Sequence, residues 1–189
     1  MATLQVKVTD TADDGCEVVG IELLDFIIVA GWGGTAELDP FFRFLNVTVP
    51  QGATIDSATL TLNITDVTGA PDTTLYGVDV DDAAAFADPG NLPSAATRTT
   101  ASADPDPASA GTKVITITTI VQEIVDRGGW ASGNAMAFVV ADNAGSGDNT
   151  WSVEDYEDEE GTAKATLDIT YTAGASVKPF RRSLLGVGF

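Results

Sequence analysis

The stretch "SATLTLNIT", residues 57–65, alternates without a break. Ala58, Leu60, Leu62 and Ile64 fall on one side, and Thr59, Thr61, Asn63 and Thr65 on the other. A period of two suits a pleated strand with one face in a core, and no helix can gather those apolar residues on one side. The same pattern recurs in "TLQVKVTD" (Leu4, Val6, Val8), "KVITIT" and "ATLDITYT" (Leu167, Ile169, Tyr171), while "AMAFVVAD" is apolar on both faces and is expected to be a central strand. Gly, Pro, Asn and Asp separate these segments, as in an antiparallel sandwich. In "FFRFLNVTVP" the apolar phase slips between Phe44 and Leu45, which predicts a β-bulge. Pro50 and Gly52 in "VPQGATI" predict a tight connection. Residues 87–112 hold four of the eight prolines and no apolar periodicity, so an exposed functional loop or a crossover is expected there.

One segment departs from the strand rhythm. In "TTIVQEIVDRGGWASGN", Thr119 and Gln122 have the spacing of a capping box, and Ile120, Val121, Ile124 and Val125 share a helical face. Gly128 suits a left-handed C-cap. A short helix over 119–127 is predicted. It is rich in β-branched residues and must be held by packing rather than propensity, as a plug over one opening of the sandwich locked by Trp130. A βαβ unit is the competing arrangement, but the flanking strands alternate instead of forming continuous apolar runs. The reading is therefore all-β: an antiparallel jelly-roll sandwich over 1–173 with one capping helix, followed by an arm at 174–189.

The segments "RFLNVTVPQGATIDSATLTL", "VDVDD", "IVQEIVDRGGWASGN" and "ATLDITYT" together resemble a jelly-roll family related to the DNRLRE domains. Those domains occur in bacterial surface proteins and in bacteriophage and prophage virion proteins. The likeness covers roughly residues 3–172, and its two motifs are R-F-x-N-V-x-[IV]-P-x-G-A-T-I and helix-R-x-G-W-x-S-G-N. The resemblance implies a fold and structural roles for these positions, not an activity.

Composition narrows the chemistry. With no histidine, neither Ser-His-Asp nor Cys-His nucleophile systems can be built. Paired-carboxylate catalysis remains formally open, but "DDAAAFAD" and "EDYEDEEGT" read as solvated acidic loops, so no catalytic residue is assigned and the chain is read as a non-enzyme. Cys16 has no electropositive neighbour and reads as structural. The strongest cofactor candidate is calcium, held by Asp142, Asn143, Asp148 and Asn149 in "DNAGSGDN", with further oxygens from Asp79, Asp81 and Asp82; the alternative is an Asn- and Gly-rich turn. Trp32 and Trp151 border polar or Gly-rich loops and are candidate glycan-stacking residues, or else core residues at the sandwich end.

Formal charge is −19, which argues against nucleic acid as a partner. The charge is unevenly placed. Residues 178–189, "KPFRRSLLGVGF", carry three basic and no acidic residues, leaving six basic and 28 acidic, a formal −22, for residues 1–177. A basic arm with Lys178, Arg181 and Arg182 for register and Phe180, Leu184, Leu185 and Phe189 as anchors fits docking onto an acidic neighbour; the alternative is a loose terminus. The N-terminal stretch lacks the features of a secretory signal, and no apolar run is long enough to span a membrane. Together with the resemblance, these features predict a structural bacteriophage virion protein made in the host cytoplasm. A capsid decoration or cement protein is preferred over a tail, fibre or baseplate component, with the major capsid protein or tail proteins and further copies of itself as partners. A carbohydrate-binding or adhesion module, contacting a host-surface glycan, is the second reading.

Overall fold

The computed structural model describes residues 1–24, 27–87, 90–143, 148–156 and 164–174. Its strands are β1 (Ala2–Lys7), β2 (Asp14–Val18), β3 (Glu22–Leu24), β4 (Ile28–Gly33), β5 (Glu37–Phe44), β6 (Thr54–Thr68), β7 (Thr73–Val78), β8 (Arg98–Ala103), β9 (Gly111–Thr116), β10 (Met136–Asp142), β11 (Asp148–Val153) and β12 (Thr166–Thr172), with helix α1 (Thr118–Val125) between β9 and β10. All the pairings are antiparallel.

Two four-stranded layers form the body, β1-β12-β6-β9 and β5-β10-β7-β8. Taking those eight strands in chain order, the first layer uses the first, eighth, third and sixth, and the second uses the second, seventh, fourth and fifth. That is the double Greek-key order of a jelly roll. β2 lies on the other edge of β5 from β10 and carries β3 beside it. β4 and β11 pair with each other; β11 continues onto β6 at Ile64–Thr68 and β4 touches β5 at Leu38, so the two layers join into one curled sheet.

The alternation of β6 does what its period demands: Ala58, Leu60, Leu62 and Ile64 are buried between the layers with Leu167, Ile169, Phe42, Phe44 and Phe138. A second cluster lies on the far face of the β5-β10-β7 layer, where Phe86 stacks on Phe41 at 4.6 Å between ring centres beside Ala137 and Val139. β10 is therefore apolar on both sides because both sides are covered. Ala83 and Phe86 belong to this cover, so "DDAAAFAD" is not simply a solvated loop.

Helix α1 buries Ile120, Val121, Ile124 and Val125 and packs on β6, β7 and β8, between the two layers. Its N-cap is Ile117, without a side-chain cap, so the expected capping box is not formed. Gln122 instead reaches sideways: its Oε1 accepts from Ile55 N at 2.8 Å and its Nε2 donates to Ala53 O at 3.0 Å. Thr118 Oγ1 accepts from Ala58 N at 3.0 Å, also on β6. On the other layer, the Glu123 carboxylate accepts from Thr100 N and Ala101 N of β8, both at 2.8 Å. These two amides converge because β8 is irregular here, with its register to β7 shifting between Tyr76 and Val78. Trp130 is buried and donates from Nε1 to Val49 O at 2.9 Å. Gly128 does not take the left-handed conformation; Gly133 does, with φ 101°.

Two further expectations change. The phase slip after Phe44 is not a bulge: β5 ends there, and Asn46 turns the chain with φ 55°, after which Val47 exchanges backbone hydrogen bonds with Gly133 and Asn134. The region 87–112 is not strandless, because it contains β8 and the start of β9. β8 escapes sequence reading because its inward residues, Thr99, Ala101 and Ala103, are small.

Candidate functional site

The helix-R-x-G-W-x-S-G-N motif and the "VDVDD" segment meet around Arg127, just beyond α1. Its Nη1 bonds Asp79 and its Nε bonds Asp81 at 2.8 Å, and these bonds hold the guanidinium pKa above its usual value. Asp82 accepts from Ala135 N at 2.7 Å, and Asp81 O accepts from Asn134 Nδ2 at 3.0 Å. Gly129 packs directly on Asp81; a Cβ there would lie 2.1 Å from Oδ2. The acids of "VDVDD", offered above as calcium oxygens, thus have protein partners and fasten the α1–β10 connection to the chain after β7.

At one end of the β4–β11 pair, the side chains of Asp142, Asn143, Asp148 and Asn149 flank residues 144–147, which lie outside the described residues. Asn143 Nδ2 donates to Asp72 Oδ1 at 2.9 Å and to Thr74 Oγ1 at 2.8 Å, and Asn149 Oδ1 accepts from Ala70 N at 3.0 Å. Both amides thus pin the β6–β7 turn. Among the described residues no three acidic or cysteine side chains come together as a metal-holding group. Trp32 is half-buried opposite Asn149. Trp151 is 0% exposed, and its Nε1 donates to Thr73 Oγ1 at 3.3 Å. It is a core residue with no face to offer a sugar, which corrects its assignment as a glycan contact. The docking residues Lys178, Phe180, Arg181, Arg182, Leu184, Leu185 and Phe189 lie outside the described residues.

A feature that sequence reading missed is a row of buried carboxylates on and beside β2 and β5. Asp13 accepts from Arg43 Nη1 at 2.7 Å. Glu17 accepts from Ser94 N and Oγ, both at 2.8 Å, and stands directly across the ladder from Asp39. Asp39 is 1% exposed, has Arg98 Nη2 at 3.5 Å from Oδ2, and leaves Oδ1 without a partner. Burial, then the charge of Glu37, pushes its pKa up to about 7 against the pull of Arg98. Asp14 is 0% exposed with neither oxygen hydrogen-bonded. Burial and then Asp155 raise its pKa to about 7; the Tyr156 backbone N–H and Lys164 act against this without making an ordinary hydrogen bond or ion pair to it. Acidic residues inside "TADDGCEVV" were the available signal, because charges seldom enter a covered strand unpaired.

The Cys16 thiol donates to Val29 O at 3.0 Å, and burial pushes its pKa up to about 12, consistent with a structural residue. A surface cavity of about 200 Å³ is lined by Glu17, Gly20, Ile21, Glu22 and Leu92, and another of about 120 Å³ lies near Phe86 and Asn91. Both are smaller than usual small-molecule sites. Among the described residues no helix is long and apolar enough to cross a membrane. Compared with known proteins, the chain matches no family model and no curated protein at a significant level.

Proposed function

We propose that this chain is a non-enzymatic structural protein of a bacteriophage virion, related to the DNRLRE-type jelly rolls, and that it serves as a decoration or cement protein on the capsid surface. The carrying observation is the charge division along the chain: a sandwich segment of formal charge −22 followed by twelve residues with three cations, no acids and four large apolar side chains. Charge complementarity of this kind steers and registers docking, while buried aromatic and aliphatic anchors supply affinity. The roles of the motif residues agree with the resemblance, since Arg127, Gly129 and Trp130 hold the fold together. Its partners in this reading are the major capsid protein and further copies of itself, and it is assembled in the host cytoplasm.

The test is co-sedimentation with intact particles. Removal of residues 178–189 is expected to abolish association while leaving the thermal transition of the sandwich in place; undiminished association would refute the docking role. A tail, fibre or baseplate position is distinguished by labelling the protein on particles. The adhesion reading keeps one supporting observation, the half-exposed Trp32, and requires a glycan-array signal that Trp32→Ala removes.

A further inference from the structure

Ile21, in the β2–β3 turn, is 67% exposed, more than any other large apolar side chain of the described residues except Met1. It lines the cavity of about 200 Å³ together with Glu17, Gly20, Glu22 and Leu92. An opening of that size takes one large apolar side chain, as interface anchors are seated, rather than a small molecule. Its surroundings are acidic. Glu22 is exposed, and Glu17 stands across the ladder from Asp39, with Glu37 two residues before it. After burial, the charges of Glu37 and Glu17 raise the Asp39 pKa against the pull of Arg98, so this end of β5 holds more negative charge than its own cation offsets.

We propose that the C-terminal arm of one copy docks in this cavity on the next copy, with Phe180 filling it while Arg181 and Arg182 meet Glu22 and the carboxylates behind it. The inference deepens the docking role proposed above and rests on it. Phe180 has Lys178 before it and the two arginines directly after it, so an aromatic anchor and its cations arrive together where an apolar wall meets an acidic rim. A second copy is the occupant because arm and cavity lie at opposite ends of the sandwich. Val18, at the cavity end, pairs with Leu38 near the start of β5. β5 finishes at Phe44, and residues 45–53 lead from there to the start of β6, where Thr54 pairs with Thr172 at the end of β12. Phe180 follows six residues after residue 174, a reach of about 20 Å at full extension. The eight residues of β5 alone span about 26 Å, before the step from one layer to the other. An arm at one end and its receptor at the other make a head-to-tail contact that repeats from copy to copy.

The experiment is sedimentation velocity of the full chain over a range of concentrations. Wild type is expected to self-associate, and Ile21→Ser, Glu22→Lys and removal of residues 178–189 are each expected to weaken this about tenfold or more. Ile21 and Glu22 are exposed, so both substitutions should leave the fold in place, which thermal unfolding checks. The Ile21→Ser chain keeps its arm, and the chain lacking residues 178–189 keeps its cavity. Mixed, they are expected to form a pair that neither forms alone. Glu22→Lys combined with Arg182→Glu is expected to regain association that Glu22→Lys loses. A monomeric wild type overturns the proposal, as does association that survives Ile21→Ser and Glu22→Lys, or a mixture that stays monomeric. Co-sedimentation with particles separates this from the wider reading: particle binding that needs residues 178–189, with wild type monomeric in solution, sinks the contact between copies and leaves the docking role standing.

Discussion

Asp39 makes the electrostatics of the sheet measurable. Its carboxyl is 1% exposed, faces Glu17 across the ladder, and has one long contact to Arg98. In the unfolded chain it would titrate near 3.8, and in the folded protein it does so at about 7. The folded state therefore holds a proton that the unfolded state releases. The resulting stability is fully present below about pH 4 and is lost as the pH rises through about 7. The distance from 3.8 to about 7 corresponds to about 4 kcal/mol at full effect. Asp39→Asn keeps the shape and removes the ionisation. Relative to wild type it is expected to be nearly neutral below about pH 4 and about 2–4 kcal/mol more stable at about pH 8, with some of the gain offset because Arg98 loses a counter-charge. Urea unfolding of both proteins in chelator, followed by tryptophan fluorescence, gives the difference at each pH. That difference isolates this carboxyl from the other titrating groups. A difference that does not change with pH would refute the reasoning, as would one that favours wild type more strongly at high pH.

Gln122→Ala leaves the Ile55 amide and the Ala53 carbonyl without their partner and should cost about 2–4 kcal/mol in urea unfolding, whereas Glu123→Ala, whose Thr100 amide sits at an exposed residue that water can serve, should cost about 1–2 kcal/mol. Gly77→Ala is expected to destabilise by about 1–3 kcal/mol in the same assay, since the added carbon would lie 2.7 Å from Ile120 Cγ2 and 2.8 Å from Ile124 Cδ1. Cys16 should resist thiol reagents at about pH 8 in the native protein and react promptly once urea unfolds it, because burial both shields the sulfur and keeps it protonated.

The parts of the fold that follow from periodicity were legible in the chain. β6 and β12 announce their buried faces every second residue, and α1 shows its apolar stripe despite poor helix formers. β8 was hidden because alternation of threonine and alanine carries no amphipathic contrast, and pairing with β7 decides its conformation. Gln122 has the right spacing for a local cap, yet the strand beside it offers the better-placed donor and acceptor, and tertiary contacts win over the local motif. Asn46 produces the same phase change that a bulge would, so sequence alone could not separate them. The acids of "TADDGCEVV" were in view, but which of them are buried was not, because the partners of Glu17 and Asp39 come from segments far away in sequence, Ser94 and Arg98.

Glu123 has a consequence beyond the stability of one molecule. A bare rim of amides on the last strand of a layer invites a strand from another molecule to extend the ladder. By occupying two of those donors on β8 with its own carboxylate, the chain blunts that rim with a negative charge. Molecules crowded side by side would then meet on that flank through side chains rather than by growing a shared sheet, and each would keep its own strands to itself.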